Sequence, residues 1–252
     1  DGHLVWNWDS NNPDDTKPLA AGKMYSRNSA NMWSIASVDE DLGMIYLPLG
    51  NQTPDQWGAD RTPGAEKYSA GVVALDLATG KARWNYQFTH HDLWDMDVGS
   101  QPTLVHLKTD DGVKPAVIVP TKQGSLYVLD RRDGTPIVPI REIPTPQGAV
   151  KGDHTSPTQA RSDLNLLGPE LTEQAMWGAT PFDQMLCRIQ FRELRYEGQY
   201  TPPSEQGSLI YPGNVGVFNW GSVSDDPVRQ LLFTSPNYMA FVSKMVPREQ
   251  VA

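Results

Sequence analysis

The sequence predicts an all-β protein of the propeller type, and three observations carry that prediction. Apolar runs of strand length recur along the chain, bounded by Gly, Pro, Asn and Asp. The 252 residues hold 21 Gly and 21 Pro, above the ordinary combined share of about 12%, which punctuates the chain too often for long helices. Two internal repeats are present, and radial repetition of short strands is the signature of a propeller rather than a sandwich or barrel.

The elements follow in order. Residues 43–49 form an apolar run that begins at Gly43, and residues 70–76 form another that ends at the turn Ala78-Thr79-Gly80. Residues 116–120 pair with 125–129 across Thr121-Lys122-Gln123-Gly124, and residues 209–211 and 230–234 continue the style. Helix is scarce: 172–176 starts a short one, and 181–195 reads equally as helix or strand. The first repeat is a strand ending in Asp, a tight turn with Gly, and a second strand with an apolar residue four after the Gly. Its copies are 73–84 and 127–137, and 1–6 matches its tail. Gly80 and Gly134 stand where the turn needs positive φ. The second repeat runs from Trp33 to Asn51 and from Trp220 to Asn237; in each copy a turn at Asp39 or Asp225 leads through an apolar strand to Asn. The longest stretch without a repeat, 141–201, is expected to be an inserted loop region of the kind that often carries function.

Composition narrows the function. The net charge of −9 argues against nucleic acid as the partner. A single cysteine, Cys187, excludes an internal disulfide and a cysteine zinc cage; it reads as a small buried hydrophobe. No apolar stretch reaches the length of a membrane helix. The chain opens Asp1-Gly2-His3-Leu4-Val5-Trp6, without an initiator Met and in mid-element, so the expectation is an internal fragment of a longer protein.

The densest polar cluster is Thr89-His90-His91-Asp92-Leu93-Trp94-Asp95-Met96-Asp97. Its side chains suit metal ligation, acid–base work or simple turn formation, and the spacing alone does not choose. In Gly50-Asn51-Gln52-Thr53-Pro54-Asp55 the amide and hydroxyl oxygens at a strand end could ligate a hard cation, or could form a plain turn. Lys122 sits in a hairpin turn, where lysines are ordinarily solvated. Trp33, Trp57, Trp94, Trp177 and Trp220 read as propeller packing. Asp153 and His154 have no spaced partner. There is no phosphate loop, GxGxxG, GxSxG or HExxH.

Residues 74–84 resemble the tryptophan-docking repeat of the eight-bladed quinoprotein dehydrogenases. The segments 51–57, 89–97, 176–180, 195–198 and 201–207 resemble one branch, the membrane-bound glucose dehydrogenases that depend on pyrroloquinoline quinone (PQQ). That resemblance implies an eight-bladed propeller of which this chain, 1–252, supplies about half, with the N-terminal membrane domain and remaining blades outside it. It implies PQQ and Mg²⁺ or Ca²⁺ as cofactors, oxidation of D-glucose or another aldose to a lactone, ubiquinone as acceptor through the membrane domain, and a place on the periplasmic side of the bacterial inner membrane. By position it implies Asp95 as catalytic base, Asn51 near metal and quinone, and Thr53 in the quinone pocket. It also implies Lys122 against the quinone carbonyls and Trp33 against its ring. Asn237 aligns with Asn51 through the second repeat; a slip in register would place Ser235 there instead. Two other readings compete. A non-catalytic propeller scaffold has no reason to keep Asn51, Asp95 and Lys122 together. A quinoprotein alcohol dehydrogenase typically carries a Cys-Cys pair or a haem domain, neither of which lies within this span.

Overall fold

A computed structural model describes residues 2–251, and its strands form antiparallel sheets. The first sheet contains β1 (Ser37–Asp39), β2 (Met44–Leu49), β3 (Gly71–Asp76) and β4 (Ala82–Gln87), paired in chain order. Between β2 and β3 lies a short helix, α1 (Pro63–Tyr68), which the sequence reading missed; Thr62 caps it and Pro63 opens it. The second sheet contains β5 (Thr103–Thr109), β6 (Gly112–Pro120) and β7 (Leu126–Asp130). A hairpin of β8 (Ile140–Pro144) and β9 (Thr158–Ser162) follows, then a long helix, α2 (Pro181–Glu193). Strand β10 (Ser208–Ile210) pairs with β13 (Phe241–Ser243), and β11 (Val223–Asp226) with β12 (Leu231–Thr234). The stretch 141–201 is therefore not loop alone: it holds most of a hairpin and α2.

The sheets stack face on face. Val117 and Val119 of β6 and Tyr127 and Leu129 of β7 pack on Tyr46, Val72, Ala74 and Phe88 of the first sheet region. The alternate residues Ala116, Ile118, Leu126 and Val128 pack on Val217, Phe218 and Val223. Successive side chains of a strand point to opposite faces, so a sheet buried on both sides must be apolar throughout. This is why these strands read as continuous apolar runs.

The first repeat locks sheet to sheet. The indole of Trp6 lies against Gly80, where a Cβ would come within 2.5 Å of it, and its Nε1 donates to the Leu77 carbonyl at 2.8 Å. Trp84 lies in the same way against Gly134, with Nε1 donating to the Arg131 carbonyl at 3.0 Å. In both copies the accepting carbonyl follows the repeat's Asp by one residue, and the glycines have φ of 70° and 76°. Each Trp thus docks on the turn of the next copy, which needs glycine both for its backbone and for the room it leaves.

Residues 181–193 are helical because Thr180 and Asp183 form a capping box and Pro181 occupies the first turn. No side chain of α2 is buried, and Phe182, Met185, Leu186 and Ile189 are exposed on it. Cys187 is half-buried rather than buried as expected. Among the described residues no helix is long and apolar enough to cross a membrane.

Candidate active site

The loop between β4 and β5 carries the polar cluster, and the structure divides its members among different tasks. Asp92 is the turn-former. Its buried carboxylate accepts from the backbone N–H groups of Trp94 (2.8 Å) and Met96 (2.6 Å) and from Asn51 Nδ2 (3.3 Å). Burial pushes its carboxyl up to about 6, against the nearby Arg61 guanidinium and the two N–H donors. Trp94 is fully buried, and its Nε1 donates to the Thr201 carbonyl at 2.7 Å. With both ends of the turn fixed, Asp95 adopts a left-handed φ of 61°, a conformation Asp tolerates better than most residues.

Lys122 meets Asp95 there. It is only 3% exposed, not solvated as a turn lysine ordinarily is. Its Nζ donates to the Asp95 carbonyl at 2.8 Å and lies 3.4 Å from Asp95 Oδ1 and 3.9 Å from Asp97 Oδ2. Burial is the main force raising the Asp95 carboxyl to about 7; Lys122 lowers it, while Asp97, Asp92 and Asp55 raise it further.

Asp97, a member of the cluster to which the sequence reading gave no task of its own, ties the site together. Its Oδ1 accepts from the Asn51 backbone N–H at 2.6 Å and its Oδ2 from Trp33 Nε1 at 2.8 Å. Trp33 is 39% exposed, and Lys122 Nζ lies 5.6 Å from its ring centroid. It is therefore not a packing tryptophan, and Trp177 and Trp220 are likewise exposed. Asn51 is fully buried, with Nδ2 donating to the carbonyls of Asp55 (3.0 Å) and Asp92 (3.1 Å).

The other expected residues stand further out. Asn237 reaches the cluster through backbone only: its N–H donates to the Val217 carbonyl (2.9 Å), and the Val217 N–H donates to the Lys122 carbonyl (2.8 Å). Ser235 is exposed. Thr53 is exposed, and among the described residues its side chain makes no hydrogen bond to this cluster. Asn214, which no sequence signal marked, donates from Nδ2 to Asp95 Oδ2 at 3.3 Å.

These residues fit a flat, anionic quinone with a hard cation. Trp33 offers a partly open aromatic face beside a buried ammonium. The bonds from Asn51 Nδ2 fix its amide, and Oδ1, an oxygen donor of the kind Ca²⁺ and Mg²⁺ prefer, accepts the Gln52 backbone N–H at 3.0 Å and keeps its second lone pair.

His91 belongs to a separate device. Its Nδ1 bonds Glu66 at 2.9 Å and its Nε2 bonds Asp153 at 2.8 Å, while its ring stacks on His154 at 3.7 Å. Asp153 is thus paired with a residue 62 positions away, contrary to the sequence reading. Burial alone would lower the His91 pKa, but the bonds to Asp153 and Glu66 raise it to about 9. Both ring nitrogens donate to carboxylates, so the group is an ion-pair clamp. A folded-state pKa above the free value of about 6.5 means the clamp stabilises fully below that pH and is lost as pH rises through about 9. His91→Leu should lower stability by about 3 kcal/mol or more near pH 6, because it removes the imidazolium from the buried Asp153 and leaves that charge only the Gly58 and His154 backbone N–H groups. The difference from wild type should shrink above pH 9. Urea unfolding at pH 6 and pH 9.5 checks this, and a deficit independent of pH would count against the clamp.

Residues 1–252 match the family described as PQQ: glucose/ethanol/alcohol dehydrogenase, β-propeller domain. The chain is 51% identical over 250 residues to a quinoprotein glucose dehydrogenase of Gluconobacter oxydans (strain 621H), covering 98% of this chain and 31% of that protein. It is 46% identical over 248 residues to one from Escherichia coli (strain K12), with the same coverage. The chain therefore spans about a third of the length of these relatives. In fold it is similar to a quinohemoprotein alcohol dehydrogenase from Pseudomonas putida, with a TM-score of 0.54 and 21% identity, over 89% of this chain and 28% of that one. From the tryptophan-docked sheets to the match along its whole length, the chain belongs to the β-propeller domain family of the PQQ-dependent glucose, ethanol and alcohol dehydrogenases.

Proposed function

We propose that the protein containing this chain oxidises the anomeric hydroxyl of D-glucose or a similar aldose to a lactone, with Asp95 as general base. The observation that carries this reading is the Asp95–Lys122 pair beside the open face of Trp33. The resemblance to quinoprotein glucose dehydrogenases at 51% and 46% identity supports the choice of sugar. When bound, PQQ supplies the two-electron acceptor and Mg²⁺ or Ca²⁺ supplies Lewis-acid polarisation of it. Asp95 takes the hydroxyl proton as the C–H hydrogen leaves with its electron pair, and the carbon becomes a carbonyl. A carboxyl standing near 7 is matched to a proton transfer at neutral pH. Lys122 stabilises negative charge developing beside it. Trp33, oriented by Asp97, covers one face and excludes water. Asn51 is the residue best placed to hold the cation; Thr53 and Asn237 complete the pocket. Ubiquinone as acceptor and a periplasmic face of the inner membrane belong to the same proposal.

The test is glucose-dependent reduction of an artificial electron acceptor by the full-length parent, with and without PQQ and Mg²⁺ or Ca²⁺. Activity that requires all three components is the expected result. Tight PQQ binding without glucose oxidation would move the substrate to another sugar or alcohol. Absence of PQQ binding would overturn the reading and favour a non-catalytic scaffold.

A further inference from the structure

Asp95 receives a hydrogen bond from a residue 119 positions away. Asn214 lies on the loop 212–216, and that loop is seated on Lys122 itself. Gly213 donates its N–H to the Met239 carbonyl at 2.8 Å, and Gly216 donates back to the Gly213 carbonyl at 2.9 Å. Gly216 has φ of 81°, and a Cβ there would come within 2.5–2.7 Å of Lys122 Cγ, Cα and Cβ. The next residue, Val217, donates its N–H to the Lys122 carbonyl at 2.8 Å. The loop therefore fits only with glycine against the lysine, and from that seat it carries the Asn214 amide to Asp95 Oδ2 at 3.3 Å. Lys122 approaches the opposite oxygen, Oδ1, at 3.4 Å. One donor stands at each carboxylate oxygen, and each oxygen keeps a lone pair for a substrate proton.

We propose that Asn214 is a positioning residue for Asp95, its amide fixing the rotation of the carboxylate while Lys122 fixes the other oxygen. The inference rests on Asp95 being the base. An amide facing an ionised carboxylate must present its N–H, so Asn214 favours the ionised form over the protonated one. The charged groups that share this environment are Lys122, Asp97, Asp92 and Asp55; Asn214 is a neutral donor among them.

Asn214→Ala and the similarly sized Asn214→Asp, made in the PQQ-loaded full-length parent, test the inference. Asn214→Ala should lower kcat about tenfold with KM changed less than about threefold. The acid limb of its kcat/KM profile should move to higher pH, by about half a unit or more. Asn214→Asp exchanges the donor for a second carboxylate and should move that limb further in the same direction. Infrared difference spectra give a second readout without turnover: the Asp95 carboxyl band, identified by its loss in Asp95→Asn, should appear at higher pH in both variants. PQQ affinity near wild type shows that each variant is folded. An unmoved acid limb and an unmoved carboxyl band in both folded variants, with Asp95→Asn inactive, would overturn the positioning role alone. An active Asp95→Asn would remove the base assignment beneath it, and the inference with it.

Discussion

Asp95→Asn in the full-length parent should lower glucose turnover by about a hundredfold or more and leave PQQ binding close to wild type. General-base help is worth about 10²–10⁴ in rate, and an amide of the same shape cannot take the proton. The substitution also preserves packing, since Asp95 is held by its own backbone carbonyl on Lys122 as well as by its side chain. In the wild type, kcat/KM should fall tenfold per pH unit below the Asp95 pKa, because only the ionised carboxylate can accept the proton. Burial raises that pKa to about 7, and a divalent cation bound nearby would lower it. Steady-state kinetics from pH 5 to pH 8 checks both statements. Residual turnover within tenfold of wild type would remove Asp95 from the role.

Lys122→Met should have the second large effect, on binding as well as rate. The ammonium is buried beside Asp95, Asp97 and the face of Trp33. Removing it takes away the positive charge available to a developing oxyanion, a loss of about 10²–10³ in turnover for one such donor. It also leaves two carboxylates without their shared cation. Lys122 lowers the Asp95 pKa, so its loss moves the acid limb upward, and destabilisation of about 3 kcal/mol or more accompanies the broken buried pair. The checks are PQQ titration, turnover and urea unfolding on the same preparation. Wild-type PQQ affinity together with wild-type turnover would show that Lys122 is a structural lysine only.

Much of the fold was legible in the sequence because strand periodicity and tight turns are local. The hairpin 116–129 follows from apolar runs around a four-residue turn. Gly80 and Gly134 declared their positive φ through the repeat. The cap that settled 181–193 as helix, Thr180 with Asp183, is also local and was there to be read. The site was legible only in part. Asp95 and Lys122 entered through resemblance to a family, since a loop aspartate and a turn lysine are ordinarily solvated. Their burial depends on stacking one sheet upon the next, which no local window contains.

The sequence by itself determined the class of structure: short strands, glycine turns, a tryptophan at the tail of two copies of the repeat, and a membership that the whole chain supports. Those features rest on backbone preference and on alternation along a strand, which act over a few residues. Only the tertiary structure decided which polar groups come together. It separated His91, clamped between Glu66 and Asp153, from Asp95, four residues later. It gave Asp92 to the turn, Asp97 to Trp33 and Asn51, and Asn214 to Asp95. The physical reason is that a carboxylate's role is set by what desolvates it and which donors reach it. Here those donors come from segments as many as 119 residues away.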